Sequence, residues 1–292
     1  MQNVHALSLV TALVTLKSGN TPVSTGTGFF YKSSDSFMFL VTNYHVVTGI
    51  GPHERGVKPF LGDSLVVQLR DKNGKAYTET IPLILGEYLN WLEHPSDTEA
   101  DLVLIPLPID MMTEVDFTYI DSTVVIEDIL LHPSSPVVMI GYPRGISDAV
   151  NNLPIWKTGS LASEPEYDFN GKKIIVVDIS AFPGMSGSPA LFVSTSGYET
   201  KSGSVIMKFG MSIHFLGIFA SMQVFNSTMY IEQLQNKPSF IASQSESLQL
   251  GHVWKASLIE ETAKTLDPNN YPSLKLSKAN KLVAKSGFIC KF

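Results

Sequence analysis

Residues 181–189, with the sequence AFPGMSGSP, follow directly on an apolar run at 174–179. The apolar run is typical of a buried strand, and the glycines predict a sharp turn that lifts the hydroxyl of Ser186 out of the backbone. A glycine at 184 permits a positive φ, so that the amides of Gly184 and Ser186 can point into one concavity, as in an oxyanion hole. Taken alone, the segment is equally compatible with an ordinary turn rich in Gly, Ser and Pro.

Two further segments contain the partners that a nucleophilic serine needs. Residues 39–47 form an apolar strand that runs into His45, and Asp101 stands at the head of the apolar strand 102–106. Because a serine hydroxyl is a weak nucleophile at its own pKa, it requires a neighbouring base, and the base requires a carboxylate to hold its tautomer. We therefore predict Ser186 as the nucleophile, His45 as the general base and Asp101 as the acid that orients it.

Neighbouring residues offer alternatives for two of these roles. Ser188 lies two residues after Ser186, and Asp97 and Glu99 precede Asp101. Only Asp101 directly precedes the apolar strand, which favours it over the other two acids. The histidines and acids show no spacing typical of a metal site, so we expect neither a metal nor a cofactor.

The chain order His45, Asp101, Ser186 and the residues around each of them resemble the three triad blocks of trypsin-like serine peptidases. The matching blocks are 42–47 (TNYHVV), 100–104 (ADLVL) and 184–189 (GMSGSP). Together with the segments 26–29, 141–143 and 217–220, they resemble most the bacterial branch of HtrA-type and glutamyl-endopeptidase-type enzymes, over about residues 8–266 and without a PDZ-like segment. The resemblance implies peptide hydrolysis through an acyl-enzyme, and it selects Ser186 over Ser188 as the nucleophile.

The same resemblance implies which residues line the specificity pocket. They are Ser180, Phe182, Pro183, Phe219, Ala220, Ser221, Met222 and His252. Ser180 takes the position at the pocket base where trypsin has an aspartate, so nothing there offsets the desolvation of a buried Lys or Arg. We expect small or medium uncharged residues at the cleaved position, with acidic residues as the alternative if His252 points inward.

The pattern of short strands and turn residues indicates an all-β, antiparallel barrel architecture. The resemblance extends this to two six-stranded Greek-key barrels of the chymotrypsin kind and a C-terminal helix. We expect an N-terminal barrel at 1–115 with His45 and Asp101, a C-terminal barrel with its helix at 116–266, and a basic extension at 267–292. Ser257 and Glu260 predict a capping box for that helix, and the Gln- and Ser-rich stretch 234–250 predicts a loop.

The composition narrows the classes of function and the setting. The chain has 292 residues with 21 basic and 27 acidic side chains, and its net charge of −6 argues against a nucleic-acid binder. No stretch approaches the roughly 18 apolar residues of a membrane span. Cys290 is the single cysteine, and the apolar stretch 6–16 is interpreted as a first strand rather than a signal peptide, so we expect a cytoplasmic location.

Our hypothesis is an intracellular serine endopeptidase. Its expected partners are a protein or peptide substrate and, as a restraint on the activity, a regulatory protein. Two alternatives remain open: a catalytically silent protease fold that serves as a binding or regulatory module, and an esterase, since acyl chemistry is common to both kinds of hydrolase.

Overall fold

The computed structural model describes residues 4–71, 74–108, 111, 117–148, 150–231 and 240–268, and for residues 224–231 and 240–246 it describes the backbone only. The strands are β1 Thr11–Ser18, β2 Thr21–Lys32, β3 Met38–Thr42, β4 Ser64–Arg70, β5 Ala76–Pro82, β6 Ile84–Leu85, β7 Tyr88–Leu89, β8 Val103–Pro106, β9 Ile120–Asp121, β10 Pro136–Gly141, β11 Ile155–Leu161, β12 Ile174–Asp178, β13 Pro189–Ser194, β14 Tyr198–Glu199, β15 Val205–Ile206, β16 Ser212–Ile231 and β17 Phe240–Lys255. The α-helices among these residues are α1 Tyr44–Thr48 and α2 Ser257–Ala263. The mostly β, chymotrypsin-like fold is confirmed.

The first half of the chain forms an N-terminal sheet whose antiparallel strands follow the order β5-β4-β1-β2-β3-β8. Alternate residues of β4 are buried, as expected for a strand with one face on a core. In the described residues no pairing joins β5 to β8, so this sheet stays open there. Leu92 pairs with Leu104 of β8 instead, and the short strand β9 adds to β2 in parallel.

The second half forms a closed barrel in the order β10-β11-β12-β17-β16-β13. Counted by the six main strands of each half, the sheet has the order 5-4-1-2-3-6 and the barrel has the closed order 1-2-3-6-5-4. The two halves, which we call lobes, therefore share one topology. They differ because the barrel pairs strand 6 with strand 5, whereas the described residues of the sheet do not. Apolar side chains fill three clusters: one inside the sheet, one inside the barrel and one shared between them. The shared cluster packs the two lobes face to face and fixes their relative position.

Three local predictions are wrong. His45 follows β3 on the short helix α1 rather than ending a strand. Residues 240–250, expected in a loop, belong to β17, which pairs with β16 from Phe240 to Lys255. The predicted C-terminal helix is present as α2. Its N-cap is Ala256, which makes no side-chain cap bond, so the predicted capping box of Ser257 and Glu260 is absent.

Helix α2 joins the two lobes through its acidic side chains. Tyr31 of the N-terminal sheet donates its hydroxyl to Glu260 Oε2 at 2.7 Å, and Ser34 also bonds to this carboxylate. His94 Nε2 lies 3.1 Å from Glu261 Oε2, while Lys173 of the barrel contacts Glu261 Oε1 at 3.0 Å. Glu260 is therefore engaged in a bond between lobes, which explains why it does not cap its own helix.

In the portion of the chain that the structure covers, no helix is both long and apolar enough to cross a membrane. The predicted basic extension lies outside the described residues, apart from residues 267–268. The domain boundaries remain predictions.

Candidate active site

Asp101 holds the imidazole of His45 in one orientation. His45 Nδ1 lies 2.7 Å from Asp101 Oδ2, and the His45 backbone amide donates to Asp101 Oδ1 at 3.1 Å. Asn43 anchors the Asp101 backbone by donating Nδ2 to its carbonyl at 2.5 Å. Because an ionised carboxylate only accepts hydrogen bonds, Nδ1 carries the proton and Nε2 is left as an acceptor. The pair thus has the tautomer that a general base requires.

The segment around Ser186 adopts the sharp turn that its glycines predict. Gly184 has φ +94° and Gly187 has φ +88°, a region that residues with a side chain rarely adopt. A Cβ on Gly187 would lie 1.8 Å from the Thr27 carbonyl oxygen, so the turn also needs glycine for close packing. Ser188 is fully buried, with its Oγ 2.1 Å from where a Gly141 Cβ would stand. Ser186 is the accessible serine of the two.

The hydroxyl of Ser186 donates to the carbonyl of Ala220 at 3.0 Å. No hydrogen bond joins it to His45 among the described residues, so the expected contact between nucleophile and base is not formed in this conformation. Ala220, His45 and Asp101 nevertheless line the same cavity. The hydroxyl is therefore bonded to a residue of this cavity's wall.

The backbone amides of Gly184 and Ser186 have no acceptor in the part of the chain that is described. The carbonyls on the opposite side of the same peptide planes are held: Arg144 N donates to Pro183 O at 2.6 Å, and Ser188 N donates to Met185 O at 2.9 Å. Since a peptide unit is planar, fixing each carbonyl fixes the direction of the free amide. Two preset donors beside a serine hydroxyl can stabilise an oxyanion.

Thr27 ties this turn to the N-terminal sheet, and the sequence analysis did not single it out as a site residue. Its hydroxyl donates to the Gly184 carbonyl at 2.8 Å and accepts from the Tyr142 amide at 3.1 Å. Its amide donates to the Ser186 carbonyl at 2.8 Å. The flanking glycines at 26 and 28 were a usable signal, because a small-residue strand permits such a close approach to another backbone.

A cavity of about 430 Å³ adjoins the His45–Asp101 pair. Its wall includes Ser221 and His252, whose Oγ and Nδ1 atoms lie 3.3 Å apart. Burial, and then the charge of Lys172, lower the pKa of His252, which keeps this ring neutral at neutral pH. His252 thus lines the same cavity as the His45–Asp101 pair.

The other predicted residues of the specificity pocket do not all line this cavity. Ser180, Phe182 and Pro183 are absent from the described wall of the cavity that contains His252. Phe219 and Ala220 are buried, and Met222 packs against the barrel core. A Cβ on Gly251 would lie 2.6 Å from the Phe219 ring, so that ring already fills the space between β16 and β17. The assignment of a specificity pocket to these residues stays a prediction.

Metal binding finds no support in the residues that the structure covers, since no group of three or more His, Cys, Asp or Glu side chains is placed to hold an ion.

Comparison of the sequence with models of known families gives a match. A family model described as a trypsin-like peptidase domain matches residues 26–196, which include His45, Asp101 and Ser186. A comparison with curated proteins finds no significant match.

Two solved structures are similar at low sequence identity. The Rv3671c protease in its inactive form is 15% identical, with 89% of each chain covered and a TM-score of 0.43. A mutant of Rv3671c from M. tuberculosis H37Rv, also in an inactive form, is 14% identical, with 96% of this chain and 91% of that chain covered and a TM-score of 0.41.

Proposed function

The chain belongs to the family of trypsin-like peptidase domains, and on that premise we propose that it is a serine endopeptidase. Ser186 Oγ attacks the carbonyl carbon of a peptide bond while His45 Nε2 takes the hydroxyl proton. The C–N bond then breaks, His45 returns the proton to the leaving amine, and an acyl-enzyme remains. Water attacks this ester with His45 again as base, which releases the acid product and restores Ser186.

One observation carries the proposal. The Ser186 hydroxyl bonds to Ala220, and Ala220 lines one cavity together with the ordered pair of His45 and Asp101. A serine side chain has three staggered rotamers, so a χ1 rotation would release the Ser186 hydroxyl from the backbone carbonyl of Ala220. We interpret the present contact as a resting rotamer.

The free amides of Gly184 and Ser186 supply the oxyanion hole in this proposal. Their role is to stabilise the negative charge that develops on the substrate oxygen during attack, where preset dipoles lower the barrier most. The role of Asp101 is to stabilise the imidazolium form that His45 takes after it accepts the proton.

Small or medium uncharged residues are the proposed preference at the cleaved position. Phe219 fills the space over Gly251, and Met222 adds apolar bulk beside it. A neutral His252 in the cavity beside the His45–Asp101 pair offers no positive charge to an acidic side chain. A cytoplasmic location is part of the proposal, because one cysteine cannot form an intrachain disulfide.

Labelling with a fluorophosphonate, combined with hydrolysis of a quenched peptide, tests the proposal. The wild type should be labelled at Ser186, and Ser186→Ala should lose labelling and about three or more powers of ten in kcat. Ser188→Ala is the matched control: it removes a buried hydroxyl that has no bond among the described residues, and activity should fall far less.

The same experiment separates the alternatives. A folded wild type that neither reacts with the probe nor cleaves peptides would be a catalytically silent protease fold. One observation favours this alternative, because the Ser186 hydroxyl bonds to the Ala220 carbonyl and not to His45. Labelling with ester hydrolysis but no peptide hydrolysis would identify an esterase.

A further inference from the structure

The hairpin of β14 and β15 forms a small sheet separate from the C-terminal barrel, and it exposes apolar side chains. Val205 exposes 62% of its surface, Met207 79% and Phe209 all of it, and Ile206 is 40% exposed. Monomeric proteins rarely leave contiguous apolar patches of this kind open, and such patches mark interaction surfaces. We call residues 205–209 the edge strip.

The hairpin is anchored on one side and open on the other. Leu130 N donates to Glu199 O at 2.8 Å along one edge of β14. Along the opposite edge of β14, Glu199 pairs with Val205 of β15. Among the described residues no further strand pairs with β15. This strand is therefore the outer edge of its sheet, and an exposed apolar edge is a template for another extended chain.

The backbone of the edge strip directs hydrogen-bonding groups outward at alternate residues. A Cβ on Gly197 would lie 1.8 Å from the Ile206 carbonyl oxygen, so this oxygen faces the β14 side. Successive residues of a strand direct their N–H and C=O groups to opposite edges, so those of Val205 and Met207 face away from β14. The amides and carbonyls of Met207 and Phe209 have no hydrogen-bond partner in the part of the chain that is described.

The sequence of the edge strip, VIMKF, is complementary to itself when two copies run antiparallel. A two-fold axis at Met207 places Val205 of one copy opposite Phe209 of the other, so apolar side chains meet on one face. On the other face Ile206 lies opposite Lys208, whose aliphatic stem can cover it. Lys208 is the one charged residue of the strip, so no like charges lie directly opposite each other.

We propose that two copies of the chain pair through the edge strip as an antiparallel, two-fold symmetric dimer, which joins their small sheets into one. The four apolar residues present on the order of 500 Å² per copy, so the pair buries about 1,000 Å², the lower range for a specific interface. A second copy also pairs the outward N–H and C=O groups, which a lipid surface leaves unsatisfied. The inference is independent of the proposed function.

Sedimentation velocity over a range of about 1–500 μM protein tests the proposal. For an interface of this size we expect a dissociation constant in the micromolar range. Met207→Asp places two carboxylates opposite each other in the buried centre and should raise this constant about 100-fold or more. Tyr88→Asp is the matched control, because it changes an equally exposed aromatic residue on the separate hairpin of β6 and β7, and it should dimerise like the wild type. Ser186→Ala should also dimerise like the wild type.

Disulfide formation between copies reads out the register, in a Cys290→Ser background that removes the native thiol. At the two-fold axis the residue pair at 207 has its Cα atoms about 5.5 Å apart, so Met207→Cys should form a disulfide-linked dimer. Ile206→Cys should not, because its two copies are offset by two residues and lie more than about 7 Å apart. Val205→Cys should link to Phe209→Cys when the two variants are mixed, but neither should link to itself.

Several outcomes would overturn the proposal. A wild type that stays monomeric up to about 500 μM would do so, and so would a dimer that persists in Met207→Asp, since another surface would then hold it. Equal linkage at positions 205, 206 and 207 would contradict the register. A monomer that floats with vesicles of phosphatidylcholine and phosphatidylserine, and loses this in Met207→Asp, would assign the edge strip to a membrane surface instead.

Discussion

Replacing Thr27 by Val is expected to slow the chemical step while leaving substrate binding nearly intact. Valine keeps the shape of threonine but removes the hydroxyl that donates to the Gly184 carbonyl and accepts from the Tyr142 amide. Thr27 is fully buried, so both backbone groups would be left without a partner. Each such loss costs about 1–3 kcal/mol, so for the two groups we expect the free energy of unfolding to fall by roughly 2–6 kcal/mol.

The effect on catalysis follows from the position of Gly184. Its amide is one of the two oxyanion donors in the proposed mechanism, and its carbonyl is the group that Thr27 holds. Removing an oxyanion donor outright costs about 10²–10³ in kcat, so a loosened one should cost about 10–100-fold. KM should change little, because no predicted pocket residue touches the Thr27 hydroxyl in the described structure.

Steady-state hydrolysis of a quenched peptide, measured below the unfolding transition of each variant, separates kcat from KM. Thr27→Ser retains the hydroxyl and should restore most of kcat. Thr262→Val is the matched control, because it removes a buried hydroxyl that donates to the Leu258 carbonyl at 2.7 Å within α2. The control should lose stability but keep its kcat. If Thr27→Val loses stability like the control and keeps kcat within about twofold of the wild type, the positioning role is refuted.

Three further predictions concern the turn, the acid stability and the specificity. Gly187→Ala would place a Cβ 1.8 Å from a backbone oxygen at a positive φ, so denaturant unfolding should show a loss of about 3 kcal/mol or more together with a loss of activity. Burial, and then the charge of Lys201, lower the pKa of His214 to about 4. The unfolded chain therefore takes up this proton first as the pH falls, and stability should drop by about 3 kcal/mol between about pH 6.5 and 4, a slope that His214→Gln should flatten. In a library varied at the cleaved position, uncharged small and medium residues should be preferred by graded factors, since one methylene changes binding by about 1–3 kcal/mol. A strong preference for Arg or Lys would refute the pocket assignment, and a preference for Glu that disappears in His252→Ala would show that His252 reads the substrate.

The prediction from sequence was strongest where one local pattern determines one local structure. The glycines at 184 and 187 permit the positive φ values that the turn around Ser186 adopts. The apolar runs at 102–106 and 174–179 correspond to β8 and β12, because burial of both faces of a strand leaves a direct trace in the residue order. His45 was placed on the wrong element, since five residues of helix after an apolar strand leave no periodicity to detect.

The features that the sequence did not predict depend on partners distant in the chain. The segment 240–250 is rich in Ser and Gln, and its strand conformation comes from pairing with β16 rather than from its own composition. Glu260 has the spacing of a capping residue, yet it bonds to Tyr31, some 229 residues away. Thr27 reaches Gly184 across 157 residues. Such contacts are decided by how the two lobes meet, which a single sequence does not reveal.

The bonds of α2 to both lobes have a consequence for the order in which the protein matures. His45 and Asp101 belong to the first half of the chain, Ser186 to the second, and the helix that links the halves through Glu260 and Glu261 follows both. During synthesis, the N-terminal sheet and most of the barrel leave the ribosome before this link can form. We therefore expect the bonds of α2 to the two lobes to form only after residue 263 has emerged.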